Sequence, residues 1–425
     1  MYDTRINEAE IEFISHDLIK PLLLSSGAIR EAVEARVSIR LECNGNEAIG
    51  RGSIMLSDIW AWPGADIERS EKLDRMQKLC ISICERLDKI CGRVSHPLVL
   101  GLRLHEVVTG SDNEVPGSAE VESVLARALC LSPFDAAIHD GAGIALGLSA
   151  FSLYDHSFPI PEVDTLFEHG VIEAIRRGMV TPELRLAAWY IASALTTESE
   201  IAVAVKRSGY RCFKIKTSGI DIDADIERTI FVHRAAVSAG ATGIRLVVDS
   251  NEATPDADSV ADYLEGIKKQ NRQVFESIDY LEQPTGRDIT KHRYDWRAVG
   301  AIKPVLLDEG HTGFEVLELA RDQGWSGFAL KTCKGHSFVL ATAAWAIERK
   351  MKISIQDLTN PGFSAIHSAL AASHLPTING VEINSPQFTP EANSEWLPRL
   401  SRLFSPVDGC HDVPQPIPAG LGSLL

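Results

Sequence analysis

Short apolar runs alternate with amphipathic stretches along the chain from about residue 186 onward. Two examples are Leu-Val-Val before Asp249 and Val-Leu-Leu before Asp308, and each run ends in a charged residue. Apolar runs of this length are typical of strands in a parallel sheet that helices cover. The stretches between them, such as 223–239 and 314–323, have the period of amphipathic helices. This alternation predicts a barrel of parallel strands and helices.

The first 63 residues follow a different pattern, in which apolar and polar positions alternate. Residues 35–43 and 48–56 flank an Asn-Gly turn, which predicts a β-hairpin. Helical patterns follow at about 65–92 and 117–150. Late strands are predicted at 352–356 and 380–384. The proline-containing tail that follows has little regular pattern, and we expect it to fold back on the first domain.

The length of the chain sets the expected number of domains. At 425 residues it exceeds the size at which a single hydrophobic core stops growing, so two domains are expected. We predict an α/β fold, a (β/α)7β TIM-like barrel with an N-terminal α+β capping domain. The cap is expected to span residues 1–130, completed by about 386–425, and the barrel to span 131–385.

Composition and charge exclude several classes of partner. The formal net charge is −16, which argues against nucleic acid and anionic membranes as partners. No apolar stretch reaches the roughly 18 residues that cross a bilayer, and the N-terminus does not resemble a signal peptide. We therefore expect a cytoplasmic protein, and we also expect a homo-oligomer.

Two other patterns have structural rather than functional interpretations. The eight cysteines form no Cys-x-x-Cys pair, and Cys80, Cys84 and Cys91 share one face of a predicted helix. Gly141-Ala-Gly143 with Gly147 resembles a dinucleotide-binding fingerprint. The residues before it are predicted to be helical, whereas the fingerprint requires a strand. Close helix packing through small residues is the better interpretation.

Charged residues end several of the predicted barrel strands. Intervals of 23 to 33 residues separate Lys216, Asp249, Glu282, Asp308 and Lys331. Each βα unit of a barrel needs roughly 30 residues, so these steps fit one strand each. Lys214 lies two positions before Lys216 and faces the same side of its strand. Three acids and three lysines are therefore expected to converge on one pocket.

The three acids are predicted to form a metal site. Asp249, Glu282 and Asp308 offer hard oxygen ligands, which suit Mg²⁺, and they leave coordination positions for water and a substrate carboxylate. Loss of a proton α to a carboxylate builds a second negative charge on it, and a divalent cation stabilises the resulting enediolate. The alternative is that each acid is a helix cap or a surface charge at a strand end.

The lysines are predicted to move the proton. Lys216 is the expected general base on one face of the substrate, and both Mg²⁺ and the ammonium group of Lys214 would favour its neutral form. Lys331 comes from a strand across the barrel and is expected to meet the opposite face, as a base, an acid or only a cation. The alternative for each is a solvated surface lysine, and we expect Lys334 to be one.

These motifs resemble those of the enolase superfamily, and within it the muconate lactonizing enzyme subgroup. The barrel carries Lys-x-Lys, Asp-x-Asn, Glu-Gln-Pro, Asp-Glu and a late Lys in the family order. Residues 17–27 are similar to the first strand and flexible loop of the family's cap, and 134–148 to the helix that leads into the barrel. Mandelate-racemase-like members instead use an Asp and His pair from the sixth and seventh strands.

The resemblance implies roles for further residues. Asn251 would steady the metal-bound carboxylates, and Glu309 would bind one of the lysines. The tryptophans of the expected substrate pocket have an alternative interpretation, which is local packing at the domain interface. The complete expected pocket consists of Ser25, Trp60, Trp62, Gln356, Asp357, Glu382 and Asn384.

Departures from the family pattern predict an uncommon substrate. Dipeptide epimerases of the subgroup have Asp-x-Asp at the eighth strand, where this chain has Glu382-Ile-Asn384, so a dipeptide is disfavoured. Residues 50–53 and 334–337 also differ from the family's glycine-rich motifs, and both regions approach the substrate.

The combined prediction is an isomerase or lyase with Mg²⁺ as its cofactor. It would remove the α-proton of a small-molecule carboxylate, giving racemization or epimerization, cycloisomerization, or β-elimination. One alternative is a sugar-acid dehydratase, for which His311, His336 and His367 are the candidate acids. Another is a catalytically silent relative that binds a metal or a ligand without turnover.

Overall fold

The computed structural model describes residues 2–24, 27–64 and 66–425. Its strands are β1 (Thr4–Leu24), β2 (Gly27–Cys43), β3 (Asn46–Met55), β4 (Arg185–Ala187), β5 (Trp189–Ala192), β6 (Cys212–Lys216), β7 (Arg245–Asp249), β8 (Ile278–Glu282), β9 (Val305–Leu307), β10 (Gly327–Lys331), β11 (Lys352–Gln356) and β12 (Cys410–Asp412).

The α-helices of these ranges alternate with the barrel strands from α7 onward. They are α1 (Asp58–Ala61), α2 (Arg69–Cys91), α3 (Pro97–Thr109), α4 (Val124–Leu146), α5 (Pro161–Asp164), α6 (Val171–Gly178), α7 (Glu198–Ser208), α8 (Ile222–Ser238), α9 (Ala257–Gln270), α10 (Arg272–Ser277), α11 (Arg297–Ile302), α12 (Glu315–Asp322), α13 (His336–Glu348), α14 (Gly362–His374), α15 (Ser385–Phe388) and α16 (Leu397–Phe404). None of the helices described is long and apolar enough to cross a membrane.

The predicted hairpin is present, and β1 extends it to an antiparallel sheet in the order β1-β2-β3. Asn44 and Gly45 connect β2 to β3 with φ angles of 50° and 83°. Both angles lie in the left-handed region that a type I′ turn requires. The sheet packs closely on α4, since a Cβ at Gly50 would lie 2.0 Å from the main-chain oxygen of Ala137. Glycine at this position therefore allows the strand to approach the helix backbone.

The parallel sheet runs from β5 to β11 in chain order. The segment at 381–382 makes single bridges to both edges of this sheet, at Ala188 and Gln356, so it lies between the first and last strands. This architecture confirms the predicted (β/α)7β TIM-like barrel with an N-terminal capping domain. The bounds proposed for the two domains stay a prediction.

Some elements differ from the predicted pattern. Helix α3 lies outside the predicted helices. Its start is marked by a helix cap, in which His96 Nδ1 accepts a hydrogen bond from the Leu98 amide (3.1 Å), and by Pro97 at the first helical position. Residues 380–384, predicted as a strand, make only the single bridges described above. The tail contains α15, α16 and β12, and it packs on both parts of the molecule: β12 pairs with β4, and Phe388 contacts the cap.

The cysteines and the glycine-rich stretch have the predicted structural roles. All eight cysteines are free thiols, and Cys80 and Cys91 are buried on α2. Gly143 lies inside α4, where a Cβ would be 2.6 Å from the Cα of Gly420. The stretch is thus part of a helix that packs closely against the C-terminal tail. The residues directly before it belong to the same helix, whereas nucleotide binding would require a strand there.

Candidate active site

Two layers of side chains fill the barrel interior, and the layer nearer the carboxyl ends of the strands carries the candidate site. Successive side chains of a strand point to opposite faces, so residues two positions apart both point inward. The apolar layer consists of Trp189, Cys212, Val247, Tyr280, Leu306 and Ala329. Two positions further along each strand lie Ile191, Lys214, Asp249, Glu282, Asp308 and Lys331. We call this second set of residues the charged layer. Strand alternation therefore places the charged layer directly above the apolar layer.

The three predicted metal ligands converge. Asp249, Glu282 and Asp308 are each at most 1% exposed. Lys214 Nζ lies 3.1 Å from Asp249 Oδ2 and 2.8 Å from Glu282 Oε1. Lys331 Nζ lies 3.5 Å from the same Glu282 oxygen and also contacts Asp308 Oδ2. One ammonium group thus bridges each neighbouring pair of carboxylates, which requires the three acids to face a common space.

Lys216 lies one step closer to the mouth of the barrel. Its Nζ donates to Asp249 Oδ2 (2.6 Å) and to Asn251 Oδ1 (3.0 Å). The main-chain amide of Asn251 also donates to Asp249 Oδ1 (2.9 Å). Asn251 is thus brought to Asp249 and to the expected base, where it orients both groups.

Lys334 is not the surface lysine that we expected. It is 1% exposed, and its Nζ donates to the main-chain oxygen of Asp308 (2.6 Å) and to Asp308 Oδ1 (3.3 Å). The cause is the 3₁₀ turn Thr332–Lys334, which returns the chain so that positions three apart share a side. The spacing of three residues after Lys331 was the signal that could have indicated this fourth cation.

Glu309 binds neighbours other than those expected. Its Oε1 accepts from Trp60 Nε1 (2.9 Å) and from Asn251 Nδ2 (3.2 Å), whereas the lysine contact implied by the resemblance is not found among the described residues. The nearby ammonium groups of Lys331 and Lys334 form ion pairs with Asp308 instead. Burial, together with the charge of Asp308, raises the pKa of Glu309 to about 8.

Burial and ion pairing oppose each other in the pKa values of the charged layer. Burial alone would raise the pKa of Asp249, but Lys216 and Lys214 outweigh it and lower this pKa to about 2. Burial alone would lower the pKa of Lys331, but Asp308 and Glu282 hold it above its usual value. Burial raises the pKa of Glu282. Asp249 is therefore ionised at neutral pH, and Lys331 is charged while it contacts these acids.

Gln283, which the sequence analysis left without a role, holds the loop after β9. Its Oε1 accepts from the amides of Asp308 (2.9 Å) and Gly310 (3.0 Å), and its Nε2 donates to the main-chain oxygen of Thr285 (2.9 Å). This amide therefore fixes the position of Asp308 relative to β8. Its place in the Glu-Gln-Pro motif was the only signal available.

A cavity opens above the charged layer. Among the predicted residues, Lys214, Lys216 and Lys331 line it, as do Asp249 and Asn251. Trp60 and Glu382 of the expected substrate pocket line it as well. The ring of Trp60 lies 5.2 Å from Lys331 Nζ, and Glu382 Oε2 lies 3.2 Å from Lys214 Nζ. The aliphatic residues of the cap that line this cavity were missed, because nothing in a single strand marks them as facing a ligand.

Four of the other expected pocket residues do not line this cavity. Trp62 packs inside the cap, where its main-chain oxygen accepts from Lys72 Nζ (2.9 Å). Asp357 caps its own loop by accepting from the Thr359 amide (2.7 Å), and Asn384 donates to the Trp189 main-chain oxygen (3.1 Å). Gln356 lies beneath, in the charged layer, and donates to Glu282 Oε2 (2.5 Å). Ser25 falls outside the described residues.

The histidines considered for a dehydratase lie away from the cavity. His311 Nε2 is 3.0 Å from Thr342 Oγ1, and His336 Nδ1 is 2.7 Å from His367 Nε2. All three are buried, and burial lowers the pKa of His367 to about 3. None of them lines the cavity above the charged layer.

The acidic residues suit a magnesium ion in donor chemistry. No group of three or more His, Cys, Asp or Glu side chains within the described ranges is arranged to hold a metal, and ammonium groups contact the facing oxygens of the three acids instead. Ammonium and Mg²⁺ are both attracted to hard carboxylate oxygens. Asp249, Glu282 and Asp308 are therefore the residues that could hold Mg²⁺, at oxygens that already contact cations.

Solved structures of similar fold include muconate lactonizing enzyme from Pseudomonas fluorescens, complexed with muconolactone. It has 21% sequence identity and a TM-score of 0.66, over 99% of this chain and 96% of that chain. Dipeptide epimerase from Enterococcus faecalis V583, complexed with Mg and the dipeptide L-Leu-L-Tyr, has 15% identity and a TM-score of 0.63, over 98% of this chain and 99% of that chain. N-succinyl Arg/Lys racemase from Bacillus cereus ATCC 14579 has 16% identity and a TM-score of 0.63, over 91% and 89%. Identities this low show a shared fold.

The sequence comparisons place the chain in a family. No curated protein matches it in sequence. A family model described as enolase C-terminal domain-like matches residues 197–423, which is more than half of the chain. This match confirms the resemblance stated from the motifs, and the chain belongs to the enolase C-terminal domain-like family.

Proposed function

We propose that this protein is a Mg²⁺-dependent enzyme that removes the proton α to the carboxylate of a small molecule. The observation that carries the proposal is the placement of Lys216 and Lys331. They line one cavity and come from β6 and β10, which flank the strands that lead to Asp249, Glu282 and Asp308. A substrate carboxylate beside the three acids would have one amine on each side of its α-carbon.

The charged layer divides the work among its residues. Asp249, Glu282 and Asp308 would hold Mg²⁺, which when bound supplies positive charge to offset the negative charge that develops on the substrate carboxylate. Lys216, nearest the mouth, would accept the proton on one face. Lys214 contacts three carboxylates, so it would act as a fixed cation rather than as a base.

Two amines on opposite sides favour racemization or epimerization. One base takes the proton from one face, and the conjugate acid of the other returns a proton to the opposite face. Cycloisomerization or β-elimination would need only one of them. A sugar-acid dehydratase has less support, because His311, His336 and His367 do not line the cavity.

Proton exchange in D₂O is the experiment that tests this function. N-acyl amino acids, dipeptides, hydroxy acids and lactones would be incubated with protein and Mg²⁺, and deuterium at the α-carbon would be measured by NMR and mass spectrometry. We expect exchange that stops when a chelator is added. Lys216→Ala and Lys331→Ala should each lower the exchange rate by at least about 100-fold for one enantiomer, the usual contribution of a general base.

Lys269→Ala, an exposed lysine on α9, is the matched control and should exchange like the unaltered protein. Exchange that survives both alanine substitutions would contradict the assigned bases. Tight Mg²⁺ binding without exchange on any substrate would instead support a binding protein that lacks turnover.

A further inference from the structure

The wall of the cavity opposite the charged layer is aliphatic. It is formed by Leu18, Leu22, Ile29, Ala32 and Met55 of the capping sheet, and Ile191, the apolar member of the charged layer, adjoins it. Leu22, Ile29 and Ile191 belong to one apolar cluster with Phe388 of the tail, so this wall is packed rather than loose. A ligand that fills the cavity must bury part of its surface against these side chains.

The charged groups of the cavity are all on the barrel side and already contact one another. Glu382, which does not belong to the three predicted metal ligands, pairs through its Oε2 with Lys214 Nζ at 3.2 Å. On the cap side, the described lining residues other than the aliphatic ones are Ser57 and Trp60, and the indole N–H of Trp60 is donated to Glu309. The lining residues of the cap that the structure describes therefore offer one hydroxyl group and no ionic partner.

A basic side chain on the same cap strand makes its contacts outside the cavity. Lys20 lies between Leu18 and Leu22 in β1, but its Nζ donates to Glu200 Oε1 (3.0 Å) and to Tyr190 OH (3.3 Å). It lines a separate surface groove together with the exposed Ile19. A second carboxylate of a substrate would find no cation among the described residues of this wall. An unpaired charge buried against aliphatic groups is strongly disfavoured.

We infer that the substrate carries one carboxylate, which faces the charged layer, and a distal part that is apolar and uncharged. This inference rests on the proposed function for the placement of the reacting carboxylate. It excludes dicarboxylates and substrates with a distal ammonium group, whichever reaction the lysines perform. Leu18, Ile29 and Met55 are the residues that would determine this specificity.

Three acids of equal chain length test the inference by binding alone: hexanoate, adipate and 6-aminohexanoate. Each has six carbons, and they differ only at the last carbon, which is a methyl group, a carboxylate or a methylene group that carries an ammonium group. Calorimetric titration with Mg²⁺ present should give a Kd for hexanoate at least tenfold lower than for the other two. A tighter Kd for adipate or 6-aminohexanoate, or no binding of hexanoate, would overturn the inference.

A substitution in the wall should reverse the preference. Leu18→Arg places a cation on the aliphatic wall at a half-buried position, so we expect adipate to bind more tightly than hexanoate. Ile19→Arg is the matched control, since this neighbour is 64% exposed and does not line the cavity; it should keep the original order. Circular dichroism of both variants would verify folding. An unchanged order in folded Leu18→Arg would contradict the assignment of this wall.

The failure of the proposed function has a different signature. Titration with Mg²⁺ alone and the D₂O exchange experiment test the metal and the bases without reference to the distal group. Mg²⁺-dependent exchange with a preference for charged distal groups would leave the function standing and remove only the substrate class. Absence of Mg²⁺ binding would remove the function, whereas the order of the three Kd values would still decide what the wall accepts.

Discussion

The ammonium groups of the charged layer compete with any metal cation for the same oxygens. Asp308 contacts two of these groups, because Lys331 contacts its Oδ2 while Lys334 contacts its Oδ1 and its main-chain oxygen. Both cations are held in a buried environment, where an unpaired charge is costly. The affinity of the three carboxylates for Mg²⁺ therefore depends on how firmly these lysines hold them.

Lys334→Met should reveal this competition. Loss of the Lys334 donors leaves Oδ1 of Asp308 without this partner, which costs about 1–3 kcal/mol in the free energy of unfolding measured with a chelator present. The main-chain oxygen of Asp308 keeps its hydrogen bond from the His311 amide (2.9 Å). Because a competing cation has been removed, added Mg²⁺ should raise the Tm of the variant by more than it raises that of the unaltered protein. Differential scanning calorimetry with and without Mg²⁺ would measure both effects.

Lys269→Met on the exposed face of α9 serves as the control for the loss of one positive charge. If both variants gave the same increase in Tm with Mg²⁺, Lys334 would have no part in holding Asp308 against the metal.

At the scale of secondary-structure elements, the contact between β3 and α4 joins the cap to the helix that leads into the barrel. Its closeness depends on glycine, since a Cβ at Gly50 would lie 2.0 Å from the Ala137 main-chain oxygen and 2.4 Å from the Gly141 nitrogen. Main-chain atoms of a helix cannot move aside independently. The strand would have to shift away from α4 to accommodate any larger side chain.

Gly50→Ala should therefore lower the free energy of unfolding by about 1–3 kcal/mol, the usual cost of overpacking a well-packed contact. Urea denaturation followed by circular dichroism would measure the change. Ile49→Ala is the control on the same strand, because Ile49 is 39% exposed and points away from this contact; its effect should be smaller. Equal stability of Gly50→Ala and the unaltered protein would show that the sheet and the helix adjust without cost.

At the scale of the whole molecule, buried neutral histidines make the fold sensitive to acid. Burial lowers the pKa of His96, His105 and His411 to about 4 and that of His367 to about 3. In the unfolded chain these groups have their ordinary pKa of about 6.5. Between about pH 6.5 and 4 the unfolded chain therefore binds protons that the folded protein does not, and the free energy of unfolding falls as the pH falls.

His105→Phe should make this dependence less steep. The imidazole of His105 stacks on Phe338 with ring centroids 4.4 Å apart, so a phenyl ring fits the same contact. Between its folded and unfolded pKa values, each such histidine changes the free energy of unfolding by about 1.4 kcal/mol per pH unit. In urea denaturation between pH 6 and 4.5, the pH dependence of this free energy should be less steep in the variant by that amount. His156→Phe, at a histidine whose side chain is 72% exposed, should keep the original slope.

Much of the candidate site could be predicted because a barrel strand has a simple geometry. The alternation of side chains sends every second residue inward, and the carboxyl ends of parallel strands share one mouth, so Lys214, Asp249 and Lys331 were found from pattern and spacing. The same rule could not assign Lys334, which follows the strand in a 3₁₀ turn. It also could not separate Trp60, which lines the cavity, from Trp62, which packs inside the cap. Both depend on turns whose direction is set by their neighbours.

Local periodicity was sufficient to predict the barrel and the capping sheet, because each depends on the period of its elements. The order of the charged strand ends was sufficient to predict that the acids and lysines converge, because parallel strands end at the same mouth of the barrel. The roles of these residues, the cytoplasmic location and the oligomeric state stay predictions.

Only the tertiary structure decided which cap side chains face the reacting groups. Leu18 and Ile29 are far from Lys331 in sequence, and they line the same cavity because the capping sheet packs over the mouth of the barrel. Contacts between distant segments of chain determine that packing, and no local pattern records them.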